Sequence, residues 1–392
     1  MPQRNENGLF FVLGAIEIRC DSNPAGYNIK VYIMKRFFLL VACLLGACVS
    51  CNDDGAPEVR NVIYMIGDGM GLAQVSLLQV AEDYRPTAFD RAEGVALIAT
   101  RSANNRVTDS AAAGTALATG TKTANASLGI DTAGVRLVPM TECAQRRGRH
   151  TGLVVTSYLH HATPAAFYAH VSDRREDEGI LRDMAASDID LLIGGGRSAL
   201  GGACPEGGTW FDAFDRKGYR VAQSSEMLDT LSALPVLAAV ADRHLPRAEE
   251  RGDFLPRATR KALELLSADD AGFFLMVEGS QIDMFCHGND ARRVLDEVRD
   301  FERAVAVAMD FADSHPGTLV VVTADHETGG LTLPSGKDDF TLPDSGVEPR
   351  FSTGGHTASI VPVYLYGTGA DRIRGLMDNT ELAARLKQLI GE

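Results

Sequence analysis

Short, mainly apolar runs at 61–66, 152–156, 273–277, 318–323 and 360–366, with a briefer one at 190–193, lack the polar alternation of a half-solvated strand. Such runs read as strands buried on both faces. Between them lie stretches of helical period. One covers 72–84, and an alanine-rich run leads from Ser110 to Gly120. Another follows Asp290, a predicted N-cap, with Val294, Val298, Phe301, Val305 and Met309 recurring on one face, and 379–390 reads as a closing helix. Strand-like runs alternating with helices predict an α/β fold with a central, mostly parallel sheet covered by helices on both faces. The segment 197–255, mixing glycine, charge and brief apolar runs, reads as surface helices and loops.

The chemistry sits where these runs end. Asp68 lies between glycines after the first run, Glu278 ends the run 273–277, and Asp283 and His287 follow four residues apart. That spacing places two ligand side chains on one turn of helix. Asp325-His326 ends the run 318–323, Thr163 and Arg174 follow the run 152–156, and His356 precedes its run instead of ending it. In open α/β sheets, sites form at the carboxyl ends of the strands. Ser110 opens the alanine-rich helix after Asp109. A serine there is either an N-cap or a nucleophile served by the helix N-terminus. No histidine lies nearby in sequence to act as its base, so the carboxylates and imidazoles predict activation by metal ions.

Composition narrows the partners. A net charge of −14 over 392 residues argues against a nucleic-acid-binding surface, and an anionic substrate would need positive charge from metals and from Arg174. Met34-Lys35-Arg36 and the apolar stretch 37–45 form a secretory-type signal, too short to span a membrane. The reading is therefore 1–33 as an over-extended start, 34–51 as a lipoprotein-type signal, 52–60 as a tether and 61–392 as a single domain. Export to the periplasm or outer membrane follows, with Cys51, or Cys48 as runner-up, carrying a lipid. Cys143, Cys204 and Cys286 remain outside the leader, an odd number that cannot all pair internally.

The segments Ile66-Gly67-Asp68-Gly69-Met70-Gly71, Thr108-Asp109-Ser110-Ala111, Ala162-Thr163-Pro164-Ala165, Ala169-His170-Val171-Ser172-Asp173-Arg174, Val277-Glu278-Gly279, Thr323-Ala324-Asp325-His326 and Gly355-His356-Thr357 occur in the order found in the alkaline phosphatase family, which the chain resembles from about Asn61 onward. The resemblance implies an alkaline-phosphatase-like fold and hydrolysis of small phosphate monoesters through a phosphoserine on Ser110. It also implies one zinc on Asp283, His287 and His356, a second on Asp68, Asp325 and His326, and a magnesium on Asp68, Thr163 and Glu278. Arg174, oriented by Asp109, would hold the phosphate. The rival readings are a phosphodiesterase or sulfatase of the same superfamily, and a non-catalytic lipoprotein that binds metal or phosphate.

Two positions depart from the best-known bacterial pattern. His161 stands where those enzymes have an aspartate beside the magnesium site, and Met284 where they have a lysine that reaches phosphate through water. His356 lies only 30 positions after His326. Many relatives carry a larger insertion there that contributes to their dimer interface, so the expected state is a monomer or weak homodimer.

Overall fold

A computed structural model describes residues 58–337 and 346–391. The leader readings, with Met34, Cys48, Cys51 and most of the tether, lie outside the described residues.

Strands β1 (Asn61–Gly67), β2 (Gly94–Ala99), β3 (His150–Tyr158), β4 (Leu191–Gly195), β5 (Arg220–Ala222), β6 (Val236–Ala239), β7 (Phe273–Gly279), β8 (Thr318–Thr323), β13 (Val361–Gly367) and β14 (Gly375–Asp378) form one ten-stranded sheet. Its spatial order is β14-β2-β13-β8-β1-β7-β3-β4-β6-β5. Strand β13 is antiparallel to both its neighbours, and the other paired strands of the sheet are parallel. Between β8 and β13 the chain makes two short ladders. Strand β9 (Glu327–Thr328) pairs with β12 (His356–Thr357), and β10 (Leu331–Thr332) pairs with β11 (Arg350–Phe351).

Continuous apolar strands demand cover on both faces, and β7 shows that they have it. The Phe273 ring meets Phe311 on one side of the sheet, whereas the next residue, Phe274, packs its ring against Tyr64 and Phe167 on the other. Phe311 belongs to the helix Ala291–Ser314, which Asp290 caps by accepting a hydrogen bond from Arg293 N. The apolar stripe read from the sequence is the buried stripe of this helix.

Helix α1 (Leu72–Ala81) follows β1, and helix α2 (Ser110–Thr119) is buried along its whole length. Small residues make that burial feasible. A Cβ on Gly114 would come within 3.0 Å of Ala166 Cβ, so α2 lies almost backbone to backbone on the turn that carries Thr163. Its N-cap is Asp109, whose carboxylate accepts from Ala112 N at 3.0 Å, and Ser110 is the first helical residue. The capping role therefore falls to Asp109 and leaves the Ser110 hydroxyl free of it.

The segment 197–255 is not only surface loops and helices: it supplies β5 and β6, which complete one edge of the sheet, with β6 wholly buried. Runs of three or four residues are too short for periodicity to tell a strand from a loop. Cys143, Cys204 and Cys286 are buried thiols, and no disulfide occurs among the described residues.

Candidate metal centre and nucleophile

Strands β8, β1, β7 and β3 are neighbours, and their parallel register brings their carboxyl ends to one level: Ile66 stands beside both Glu278 and Thr323, and Glu278 beside Val155. Asp68, Glu278, Asp325 and the segment reaching Thr163 therefore converge. Gly69 enables the closest approach, because with φ +73 a Cβ there would sit 2.9 Å from both the Asp283 backbone and Thr328 Oγ1.

Three groups of ligand-type atoms result: Asp283, His287 and His356; Asp68, Asp325 and His326; and Asp68, His161 and Glu278, the atoms within each lying inside 4.8 Å. In the first, Asp283 and His287 share helix α3 (Gln281–His287). His287 Nε2 lies 3.2 Å from Asp283 Oδ2 and 3.2 Å from His356 Nε2. The opposite ring nitrogens face main-chain carbonyls, His287 Nδ1 on Gly354 O at 2.7 Å and His356 Nδ1 on Thr108 O at 2.8 Å. As donors to those carbonyls they leave both Nε2 atoms turned inward, the orientation of metal-bound imidazoles. In the second group, His326 Nε2 lies 3.2 Å from Asp325 Oδ2, 3.5 Å from Asp68 Oδ1 and 3.3 Å from Ser110 Oγ.

The third group differs from the set implied by the resemblance, because His161 joins Asp68 and Glu278 as a third ligand-type side chain. Thr163 is fully buried and its Oγ1 has no hydrogen-bond partner. Arg174 bridges His161 and Asp109, with Nη2 3.4 Å from His161 Nε2 and Nη1 3.4 Å from Asp109 Oδ2. Asp109 also accepts from Ala126 N, so its three contacts hold it in one orientation. Met284 is half-buried beside Asp283 on α3 and offers no charge or donor.

The electrostatics show that these residues suit cations. Both Asp68 oxygens, Asp325 Oδ2 and Glu278 Oε1 are buried without hydrogen-bond partners. Burying carboxylates unpaired costs several kcal/mol each unless a proton or a cation compensates. In the protein without metal, protons do so. Burial, reinforced by Asp325 and Asp283, raises Asp68 well above the carboxylate range. Burial likewise lifts Glu278 to about 8 and Asp325 to about 7. Asp283 goes the other way: burial pushes it up, but the hydrogen bond from His287 and the imidazoles of His326 and His356 outweigh that and hold it below the usual range. The same hydrogen bond raises His287 to about 9. Burial drives His161 and His326 well below the ordinary histidine value, so both are neutral, as ligands must be.

Sequence reasoning passed over several residues here. Glu327 accepts from Gln74 Nε2, from the Thr357 hydroxyl and from the N–H groups of Gly330 and Leu331, tying α1 to the β9–β12 ladder that carries His356. Thr328 touches two of the ligand groups. Tyr158 and His244 pack around the His161 ring. The unbroken polar run Asp325-His326-Glu327-Thr328 at a strand end was the available signal for the first two.

Known proteins similar to this chain are alkaline phosphatases. The alkaline phosphatase family profile matches residues 59–346. Alkaline phosphatase 4 of Bacillus subtilis (strain 168) is 32% identical over 414 aligned positions, covering 85% of this chain and 89% of the relative. Among solved structures, the alkaline phosphatase of the Antarctic bacterium TAB5 is 35% identical, with TM-score 0.79 over 86% of this chain and 98% of that one. A histidine-to-aspartate mutant of the TAB5 enzyme with Mg bound in the M3 site is 34% identical at TM-score 0.79, covering 86% and 99% of the two chains.

The charge arrangement predicts how the metal-free protein responds to pH. Asp325 at about 7, Glu278 at about 8 and His287 at about 9 are all raised, so each stabilises the fold while protonated and loses that contribution as pH climbs through its folded value. The depressed His161 and His326 act with opposite sign, but below their ordinary 6.5. Protein stripped with EDTA should therefore lose thermal stability between about pH 6.5 and 9, while protein supplied with zinc and magnesium should hold nearly level. Equal slopes in the two melting series would contradict the assignment.

Proposed function

The chain belongs to the alkaline phosphatase family and is a phosphoric monoester hydrolase, and from that premise we propose that it works through a phosphoserine on Ser110 with two zinc ions and one magnesium ion. The observation that carries this reading is the buried Ser110 hydroxyl 3.3 Å from His326 Nε2, against the unpartnered carboxylates of Asp68 and Asp325. Asp283, His287 and His356 would hold one zinc, and Asp68, Asp325 and His326 the other. Asp68, Thr163 and Glu278 would hold magnesium, which oxygen donors suit, and the His161 imidazole beside them would let zinc compete there. Bound zinc supplies Lewis acidity, lowering the pKa of a coordinated hydroxyl or water and drawing charge from the leaving oxygen.

The chain's own groups do the rest. Arg174 presents its planar fork to two non-bridging oxygens of the phosphate, kept in place by Asp109. Ser110 Oγ, at the positive end of α2, bonds to phosphorus as the ester P–O bond breaks in line. The serine proton passes to solvent, and the departing alkoxide takes one from it. Water then displaces Ser110 from phosphorus, the serine oxygen regains a proton from solvent, and inorganic phosphate is released.

A phosphodiesterase or sulfatase is disfavoured because Ser110, Arg174 and a third, mainly carboxylate group with Glu278 occur together. Comparing hydrolysis of nitrophenyl phosphate, its bis-ester and its sulfate separates the three activities. A secretory-type leader supports export, with lipid attachment at Cys51 or Cys48 as the only membrane link we propose. Among the described residues no helix is long and apolar enough to cross a membrane. We propose residues 61–392 as one catalytic domain acting on small phosphomonoesters, monomeric or weakly dimeric.

Ser110→Ala should lower kcat on nitrophenyl phosphate by about 10³-fold or more while leaving the melting temperature nearly unchanged. Chelation should abolish activity, and zinc with magnesium should restore it. A serine variant with near wild-type turnover would overturn the covalent route. The departures at His161 and Met284 yield a second expectation. Met284→Lys supplies a cation and three donors beside Asp283 and should tighten inhibition by inorganic phosphate severalfold. His161→Asp should raise magnesium affinity, an expectation supported by the Mg bound in the TAB5 histidine-to-aspartate mutant. Unchanged phosphate inhibition in the lysine variant, or unchanged magnesium affinity in the aspartate variant, would remove the role given to that position.

A further inference from the structure

We infer that Thr328 is a positioning residue whose single hydroxyl locks the two imidazole-bearing ligand groups to each other. Its Oγ1 lies 2.5 Å from Asp283 Oδ1, in the first group, and 3.1 Å from His326 Nδ1, in the second. Thr328 is completely buried, so water does not compete for either contact.

Proton counting sets the direction of both bonds. An ionised Asp283 can only accept, so the one hydroxyl proton of Thr328 goes to Asp283. Toward His326 the same oxygen can then only accept, which requires the proton of the imidazole to sit on Nδ1. That tautomer leaves the Nε2 lone pair facing Ser110 Oγ, Asp68 Oδ1 and Asp325 Oδ2. One hydroxyl thus sets the carboxylate orientation in one group and the tautomer in the other. His287 and His356 take their orientation from main-chain carbonyls, Gly354 O and Thr108 O. Of these three ligand-type imidazoles, His326 alone has its outer nitrogen on a side chain.

Thr328 is itself held rigidly. Its N–H donates to Gly69 O at 3.2 Å, its carbonyl accepts from Gln74 Nε2 at 2.9 Å, and it pairs with His356 in the β9–β12 ladder. A Cβ on Gly69 would lie 2.9 Å from Thr328 Oγ1, so a glycine there leaves the hydroxyl its place. Removing the hydroxyl has two consequences at once. Asp283 Oδ1 loses its donor, and His326 is released to place its proton on Nε2, where it blocks the inward lone pair.

The inference rests on the proposal that these two groups hold zinc. The test compares zinc-loaded wild type, Thr328→Val, which keeps shape but loses the hydroxyl, and Thr328→Ser, which keeps the hydroxyl but loses the methyl. Competition with a chromophoric chelator gives the zinc dissociation constants of both groups, and melting of the stripped proteins checks the fold. Thr328→Val should weaken zinc at both groups by about 10- to 100-fold. Thr328→Ser should stay within about threefold of wild type, and kcat should follow zinc retention. If the valine variant does not fold, Thr328→Ala takes its place in the comparison. A hydroxyl-free variant that holds both zinc ions as tightly as wild type, or is weakened at one group only, overturns the inference, as does a serine variant as weak as the valine one. Wild type that takes up no zinc overturns the zinc reading and this inference together, an outcome distinct from the others.

Discussion

Three carboxylates, Asp68, Glu278 and Asp325, are buried side by side at the ends of adjacent strands, with several of their oxygens unpartnered. No folded chain of ordinary stability tolerates three such charges without compensation. Protons supply it without metal, which is why all three titrate above the carboxylate range. Much of the architecture serves to keep these groups together despite their repulsion. The parallel register of β8, β1, β7 and β3 sets their height, Gly69 permits the close approach, and α2 lies deep enough to bring Ser110 to His326.

The rigid sheet and the short ladders divide the work. Strand ends deliver Asp68, Glu278 and Asp325, whereas Asp283, His287 and His356 come from helix α3 and from a two-residue strand that precedes β13. The latter set depends on local ties, among them Glu327 on Gln74 and Thr357 and the main-chain carbonyls behind both histidines. The sheet register thus sets the height of the deep carboxylates, while the imidazoles take their orientation from local contacts: main-chain carbonyls behind His287 and His356, and the Thr328 hydroxyl behind His326.

The parts of this arrangement that depend on local pattern were legible in the sequence. Apolar runs located β7 and β8 almost to the residue, and the closing helix Asn379–Ile390 coincides with its expected span. Asp283 and His287 could be paired from their four-residue spacing. What depends on tertiary contact was not legible. Strands β5 and β6 were read as surface because three or four residues carry no periodicity, and β14 is equally short; β2, an apolar run at 94–99, was legible but passed over. The entry of His161 into a ligand group, and the reach of Thr328 across two groups, are matters of ångströms between segments far apart in the chain.

Asp68 belongs to two of the three groups, so the loss of its carboxylate reaches two metal positions at once. The direct measurement is elemental analysis of the purified, dialysed wild type beside Asp68→Asn, an isosteric change that removes the charge. The account predicts two zinc ions and one magnesium ion per wild-type chain, and in the variant only the zinc held by Asp283, His287 and His356. A wild type without bound metal, or a variant that retains all three ions, would contradict it.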